Sequence, residues 1–268
     1  MIICDTHVHS LYSFDGHDSV DAVCRAAIDK GLASIVFTDH CDLDCEAAGL
    51  YPKLDADNVF KAVGEAKEKY KGKLDIGCGI ELGQPYNVPE EAGKVLSRGY
   101  DIVLCSVHNL KDVPDFSFMN YTEMPDGLID SLIRRYLDDL ISSADTDGVD
   151  IITHATYPSR YLYRQGIHID MMKYADRYEV LFEKMIETGK ALEYNVSGIR
   201  RNEPPSPTID FMKLYRDLGG EFVACGSDAH YAKDVGANIA DAYKQLAAIG
   251  FKYITVYRNG KKDQIKID

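Results

Sequence analysis

A chain of 268 residues with 46% hydrophobic and 27% charged content can bury a full core, so residues 1–268 are expected to form one α/β domain. The net charge of −13 disfavours a nucleic-acid polymer as partner, because affinity for phosphate polymers grows with clustered Lys and Arg. No apolar run could span a bilayer and nothing after Met1 resembles a targeting peptide, which rules out a membrane role and points to the cytoplasm.

Short β-branched runs alternate with longer segments of helical periodicity, the pattern of βα units around a parallel sheet. In chain order the strands are expected at residues 2–5, 34–38, 74–80, 101–106, 151–153, 191–195 and 221–226, with 253–257 either an eighth strand or one outside the barrel. Ser19 is expected to cap a helix over 20–30, Asp57 one over 58–70, and Pro89 to open one that stops before Gly99. Further helices are expected from Asp126 or Gly127 to about 143, from Asp170 to before Gly189, from Ser206-Pro207 to before Gly219-Gly220, and over 235–249. The fold class read from this is α/β, a closed or nearly closed barrel. An open doubly wound sheet is the alternative, although no Gly-rich dinucleotide fingerprint follows the first strand.

Seven cysteines are too irregularly spaced for a disulfide scaffold, and Cys4, Cys78, Cys105 and Cys225 fall in apolar runs, so reduced buried thiols are expected. Cys41 and Cys45 lack a second pair to complete a metal site.

The histidines carry the chemical signal. His7 and His9 follow the first expected strand, His40 the second, His108 the fourth, His154 the fifth and His230 the seventh. In a parallel barrel these strand ends converge on one face. Asp15, Asp39, Glu81 and Asp228 fall at equivalent places. Neutral imidazole with ionised carboxylate suits Zn, Mn or Fe, and a carboxylate can bridge two ions. The His-Val-His spacing sends two rings to one side of an extended segment. Satisfied loop histidines explain any one of these residues but not the whole set.

Asp5-Thr-His-Val-His-Ser, Tyr12-Ser-Phe-Asp-Gly16, Phe37-Thr-Asp-His40, Gly79-Ile-Glu81, Ser106-Val-His108 and Gly226-Ser-Asp-Ala-His230 together resemble the polymerase-and-histidinol-phosphatase superfamily, in order over nearly the whole chain. Asn195-Val-Ser-Gly-Ile-Arg200 is similar to its stand-alone histidinol-phosphate phosphatase branch. The resemblance implies a distorted seven-stranded (β/α)7 TIM-like barrel with three divalent metal ions at the C-terminal ends of the strands. It further implies a first ion on His7, His9, Glu81 and Asp228, a second on Glu81, His108 and His154, and a third on Asp15, His40 and His230. His17 is a competitor for Asp15, and His168 is expected to be exposed or in a loop. Asp39 is a candidate to orient a metal-site histidine, and Asp5 either to do likewise or to serve a structural role at the strand end.

The expected chemistry is phosphomonoester hydrolysis by a hydroxide bridging two ions, with Glu81, Asp228 and His230 as catalytic residues. Arg160, Arg164 and Arg200, in loops after the fifth and sixth strands, and more weakly Lys111, are candidates to clamp the phosphate. The branch implies L-histidinol phosphate as substrate, in histidine biosynthesis. Asp42, Glu46 and Glu203 are then candidate cation partners, and Tyr157, Tyr161 and Tyr163 candidate pocket walls. A phosphoesterase acting on nucleotides or short oligonucleotides, and a non-catalytic metal-binding assembly module, are the alternatives.

Overall fold

The computed structural model describes residues 1–258 and 260–267. Its strands are β1 (Cys4–Val8), β2 (Ser34–Phe37), β3 (His40–Asp42), β4 (Asp75–Cys78), β5 (Ile80–Gly83), β6 (Val103–Ser106), β7 (Ile151–Ile152), β8 (Ala191–Asn195), β9 (Val223–Gly226), β10 (Tyr253–Arg258) and β11 (Lys261–Lys266). Its helices are α1 (Val20–Asp29), α2 (Leu43–Ala47), α3 (Ala56–Lys69), α4 (Pro89–Leu96), α5 (Asp126–Ala144), α6 (Tyr157–Arg164), α7 (Ala175–Thr188), α8 (Ile209–Asp217) and α9 (Ile239–Ala248).

The sheet is parallel through β1-β2-β4 and through β3-β5-β6-β7-β8-β9. These two sheets form one path around a TIM-like barrel. The second strand position breaks at Thr38-Asp39 and the third at Gly79, but pairing carries across the breaks through Gly79 N to Phe37 O at 2.7 Å and Glu81 N to Asp39 O at 3.2 Å. Seven strand positions result, as expected. β9 and β1 meet at a single parallel bridge, Val8 with Ala229, flanked by Asp228 N to His7 O and His9 N to Ala229 O, both 2.9 Å.

The run at 253–257 lies outside this ring, in an antiparallel hairpin with β11. Its Tyr257 packs against Val36, Ile102, Leu104, Ile151, Ala191 and Ala224. Ala191 and Ala224 stand two residues before Glu193 and Gly226 and so share their side of the strand, which puts this apolar layer beneath the polar site on the inward face.

Helix ends follow local chemistry. Ser19 accepts from Ala22 N and caps α1, while Gly189 (φ 69°) closes α7 in a left-handed turn. Asp55, not Asp57, caps α3, through a bond from Asn58 N. Residues 171–174 form a 3-10 turn before α7 begins. Helix α8 starts at Ile209 and not at Ser206-Pro207, because Ser206 bonds back to Asn195 in both directions at 2.9 and 3.0 Å. Helix α9 starts at Ile239 and not at 235, since Gly236 N is drawn to Asp5 Oδ2 at 2.8 Å.

Buried tyrosines tie helices to the barrel. Tyr136 of α5, Tyr178 of α7 and Tyr243 of α9 bury their rings and donate hydroxyls to the carbonyls of His154, Ala155 and Cys4 at 3.3, 2.7 and 3.1 Å. All seven cysteines are free and buried, as read from the sequence.

Candidate metal centre

Glu81, in the middle of the inward face of β5, is fully buried, and five imidazoles surround it, His9 being the farthest at 3.5 Å. Oε1 lies 2.8 Å from His154 Nε2 and 3.2 Å from His108 Nε2. Oε2 lies 2.9 Å from His40 Nδ1 and 3.3 Å from His7 Nε2. His7 and His9 present their Nε2 atoms to each other at 3.0 Å, and Asp228 Oδ1 stands 3.4 Å from His9 Nε2. On the solvent side Asp15 approaches His40 at 3.6 Å and His230 at 3.1 Å. The nine side chains singled out from the sequence therefore meet at one end of the barrel.

Backbone geometry makes this convergence possible. The loop that returns Asp15 to the barrel passes so close to itself that a Cβ at Gly16 would sit 1.7 Å from Ser10 O, which only glycine avoids. His154 (φ 24°) and Asp228 (φ 52°) both occupy the left-handed region, costly for residues with a Cβ and concentrated at functional sites. Glu193 Oε2 accepts from His154 N at 2.8 Å, and Arg200 donates to Asp228 O at 3.2 Å.

The donor set fits divalent metal. Glu193 Oε1 accepts from Nδ1 of His7 at 2.6 Å, and Ser13 Oγ, which gives its proton to Asp39, accepts from Nδ1 of His9 at 2.9 Å. Both Nε2 lone pairs then face one another, an arrangement that a shared cation or proton must stabilise. Asp42 takes the Nδ1 proton of His108 at 2.8 Å, leaving Nε2 towards Glu81. Asp15 Oδ1, His40 Nδ1 and His230 Nε2 are buried without a partner in hydrogen-bonding geometry.

The charges are mutually dependent. Burial opposes ionisation of Glu81, but His40, His7 and His108 outweigh it and hold the carboxyl well below its usual range. Burial likewise opposes the charged form of His40, yet Glu81 and Asp15 push it up to about 9. Burial, reinforced by His230 and His40, drives His9 down to about 3, which favours its neutral ring.

Residues 5–197 match the family model described as the PHP domain. The chain belongs to the PHP domain family.

Two relatives span nearly the whole of this PHP protein. The probable histidinol-phosphatase of Thermotoga maritima is 27% identical over 96% of both chains, and the histidinol-phosphatase of Lactococcus lactis is 26% identical over 98% of this chain and 97% of its own. The crystal structure of the Lactococcus lactis histidinol phosphate phosphatase, complexed with zinc, L-histidinol and phosphate, superposes with a TM-score of 0.83 at 22% identity, covering 97% of this chain and 98% of that one. The crystal structure described as the putative histidinol phosphatase of Listeria monocytogenes matches with a TM-score of 0.77 at 19% identity, over 89% of this chain and 99% of that one. The last two comparisons fix the PHP barrel.

The PHP centre opens into a cleft of about 870 Å³. Arg160 and Arg200 line it, but not from loops as expected: Arg160 lies on α6 and Arg200 in a 3-10 turn over Ser197–Arg201. Asn195 and Ser197 accept from Arg160 Nη2 at 3.2 and 2.9 Å, and Nη1 points to Asp228 at 3.5 Å. Arg200 donates to the carbonyls of Ser227 and Asp228, so it fastens the turn that carries Asp228. Arg164 lines the cleft but is paired with Glu203 at 2.8 and 3.1 Å. Lys111 is exposed and outside the lining, with only its carbonyl engaged, by Arg135.

Other sequence candidates fall differently. Asp42 is buried behind His108, Glu46 accepts from Leu54 N and Glu203 holds Arg164, so none of the three acids lines the cleft as a cation partner. Tyr157 and Tyr161 line it, whereas Tyr163 does not. His17 stacks on Tyr231 at the rim, and His168 is exposed. Asp39 reaches His9 through Ser13 and not directly. Asp5 acts structurally, accepting from Ser227 and Gly236. Sequence reasoning missed Glu193 and Ser13. Glu193 was accessible, because it shares with Asn195 the inward parity of β8.

Proposed function

We propose that residues 1–268 form a single catalytic domain that hydrolyses L-histidinol phosphate to L-histidinol and inorganic phosphate, a cytoplasmic step of histidine biosynthesis. The observation that carries this is the cluster of nine side chains around Glu81, opening into a cleft lined by Arg160. The substrate is supported by relatives named histidinol-phosphatase over nearly the full length.

Three divalent ions, zinc, manganese or iron, fit the donors. His7, His9, Glu81 and Asp228 would hold the first; Glu81, His108 and His154 the second; Asp15, His40 and His230 the third. Such ions supply Lewis acidity, lowering the pKa of water and offsetting phosphoryl charge.

The chain's own residues prepare the rest. Asn195 and Ser197 fix the Arg160 guanidinium before a phosphate arrives, so binding costs little side-chain entropy. Glu81, Asp228 and His230 are assigned as catalytic: Glu81 joins the sets, Asp228 stands between His9 and Arg160, and His230 lines the cleft beside Asp15. Arg200 keeps Asp228 in place through its backbone.

Release of inorganic phosphate from L-histidinol phosphate by metal-loaded protein is the test, abolished by chelation and strongly reduced in Glu81→Ala. Far more efficient cleavage of nucleoside monophosphates or short oligonucleotides would overturn the substrate. Tight metal binding without hydrolysis of any phosphoester would point to an assembly module instead.

A further inference from the structure

The cleft is chemically divided. The arc formed by α6 and the turns after β8 and β9 supplies Arg160, Arg164, Arg200, Arg201 and Lys233. Among the described residues the arc formed by β3 and the segments after β1, β3 and β6 supplies no Lys or Arg to the lining. Beside the metal-centre candidates Asp15, His40 and His108, it supplies Phe14, Tyr51, Phe118 and one further carboxylate, Asp115.

These rings form a continuous surface beginning at the metal centre. Phe14 stacks on His40 with centroids 5.1 Å apart, Tyr51 stacks on Phe14 at 4.2 Å and 11°, and Phe118 meets Tyr51 edge-on at 6.3 Å. Phe14 and Phe118 are 42% and 69% exposed, so they contribute little to the core. Large aromatic rings held at the mouth of a polar cleft offer a face for a planar ligand.

Asp115 gives that face a sign. It is only 6% exposed and accepts from Tyr51 OH at 2.9 Å, Tyr157 OH at 3.4 Å and Ser117 N at 2.7 Å, all neutral donors. Among the described residues no Lys, Arg or His forms an ion pair with it. The metal-centre carboxylates, by contrast, all face imidazoles. A largely desolvated carboxylate flanked by aromatic faces attracts an organic cation, which gains from both the charge and the ring quadrupoles.

We propose that Phe14, Tyr51, Phe118 and Asp115 form the subsite that selects the leaving group, and that it takes a planar group bearing a protonated nitrogen. This rests on the phosphomonoesterase reading and assigns the half of the substrate that Arg160 does not touch. With phosphate drawn to the arginine arc and the cationic ring to the aromatic arc, the ester lies across the metal centre in one orientation. A neutral leaving group leaves Asp115 uncompensated, and one bearing further phosphates meets it as a like charge.

Three probes separate charge from planarity: L-histidinol phosphate, phenyl phosphate (planar, neutral) and O-phosphoethanolamine (cationic, not planar). Asp115→Asn should lower the ratio of kcat/KM for L-histidinol phosphate over phenyl phosphate about 10- to 100-fold, mainly through KM. Phe14→Leu, at an exposed position that does not threaten folding, should lower L-histidinol phosphate over O-phosphoethanolamine about threefold or more. Ratios unchanged in both variants, at wild-type metal content, overturn the subsite. So does a wild-type protein with no preference for cationic esters. If the wild type prefers a different cationic phosphomonoester and the variants erase that preference, the histidinol phosphate reading fails and the subsite stands.

Discussion

Glu193 Oε1 sits 2.6 Å from Nδ1 of His7, while its second oxygen holds the backbone of His154 at 2.8 Å. One carboxylate thus orients a ring of the first proposed ligand set and pins the left-handed backbone of a residue in the second. Removing its charge should be felt at both. Glu193→Gln is expected to weaken metal retention about 10- to 100-fold, the cost usual for such outer partners. Equilibrium dialysis against zinc measures it, and wild-type retention would show that Glu193 is only packing.

Gly226 lies against the same carboxylate. A Cβ there would stand 2.2 Å from Glu193 Oε1 and 2.5 Å from His7 Cβ. Gly226→Ala is expected to cost about 1–3 kcal/mol and to lower metal content with it. Gly64, within α3 and open on all sides, is the counterpart: Gly64→Ala should stabilise by about 0.5–1 kcal/mol and leave activity alone. Thermal denaturation of the two variants should move in opposite directions.

Metal loading should release protons. With its pKa raised from 6.5 to about 9, His40 is protonated in the metal-free protein near neutral pH and must be neutral to ligate. Zinc affinity should therefore climb with pH and flatten above about 9. The metal-free fold has the opposite dependence: the raised pKa adds stability that is full below 6.5 and lost as pH rises through 9. Calorimetric titration of zinc in two buffers of different ionisation enthalpy reads the released protons; a buffer-independent heat at pH 7.5 would contradict the shift.

Chelation should lower the melting temperature as well as abolish turnover, because an ion bound only by the folded chain stabilises it by mass action. At free metal 100 times Kd the gain is about 2.7 kcal/mol. Melting temperature should accordingly rise with free zinc, and a flat dependence would argue against a resident metal.

The strand-end pattern made most of the centre legible. The proposed ligands lie at parallel strand ends, where spacing in sequence becomes proximity in space, so His7, His40, His108, His154 and His230 could be read in order. What stayed hidden depends on side-chain direction and non-local bonds. Asp42 looked like a free acid and is committed to His108, sixty-six positions away in sequence. Helix α6 looked like a loop because it is short, opens on Tyr157-Pro158 and carries Leu162 as its one aliphatic side chain besides proline. The start of α9 was misplaced because Asp5, at the far end of the chain, takes the amide of Gly236.

The meeting of β1 and β9 carries a last implication. Every other neighbouring pair in the ring shares a ladder, but here one bridge, Val8 to Ala229, joins the first stave to the last. His7 and His9 stand on one side of that gap and Asp228 on the other. An ion gripped by all three would act as a hoop, so that assembling the catalyst and tightening the barrel become the same event.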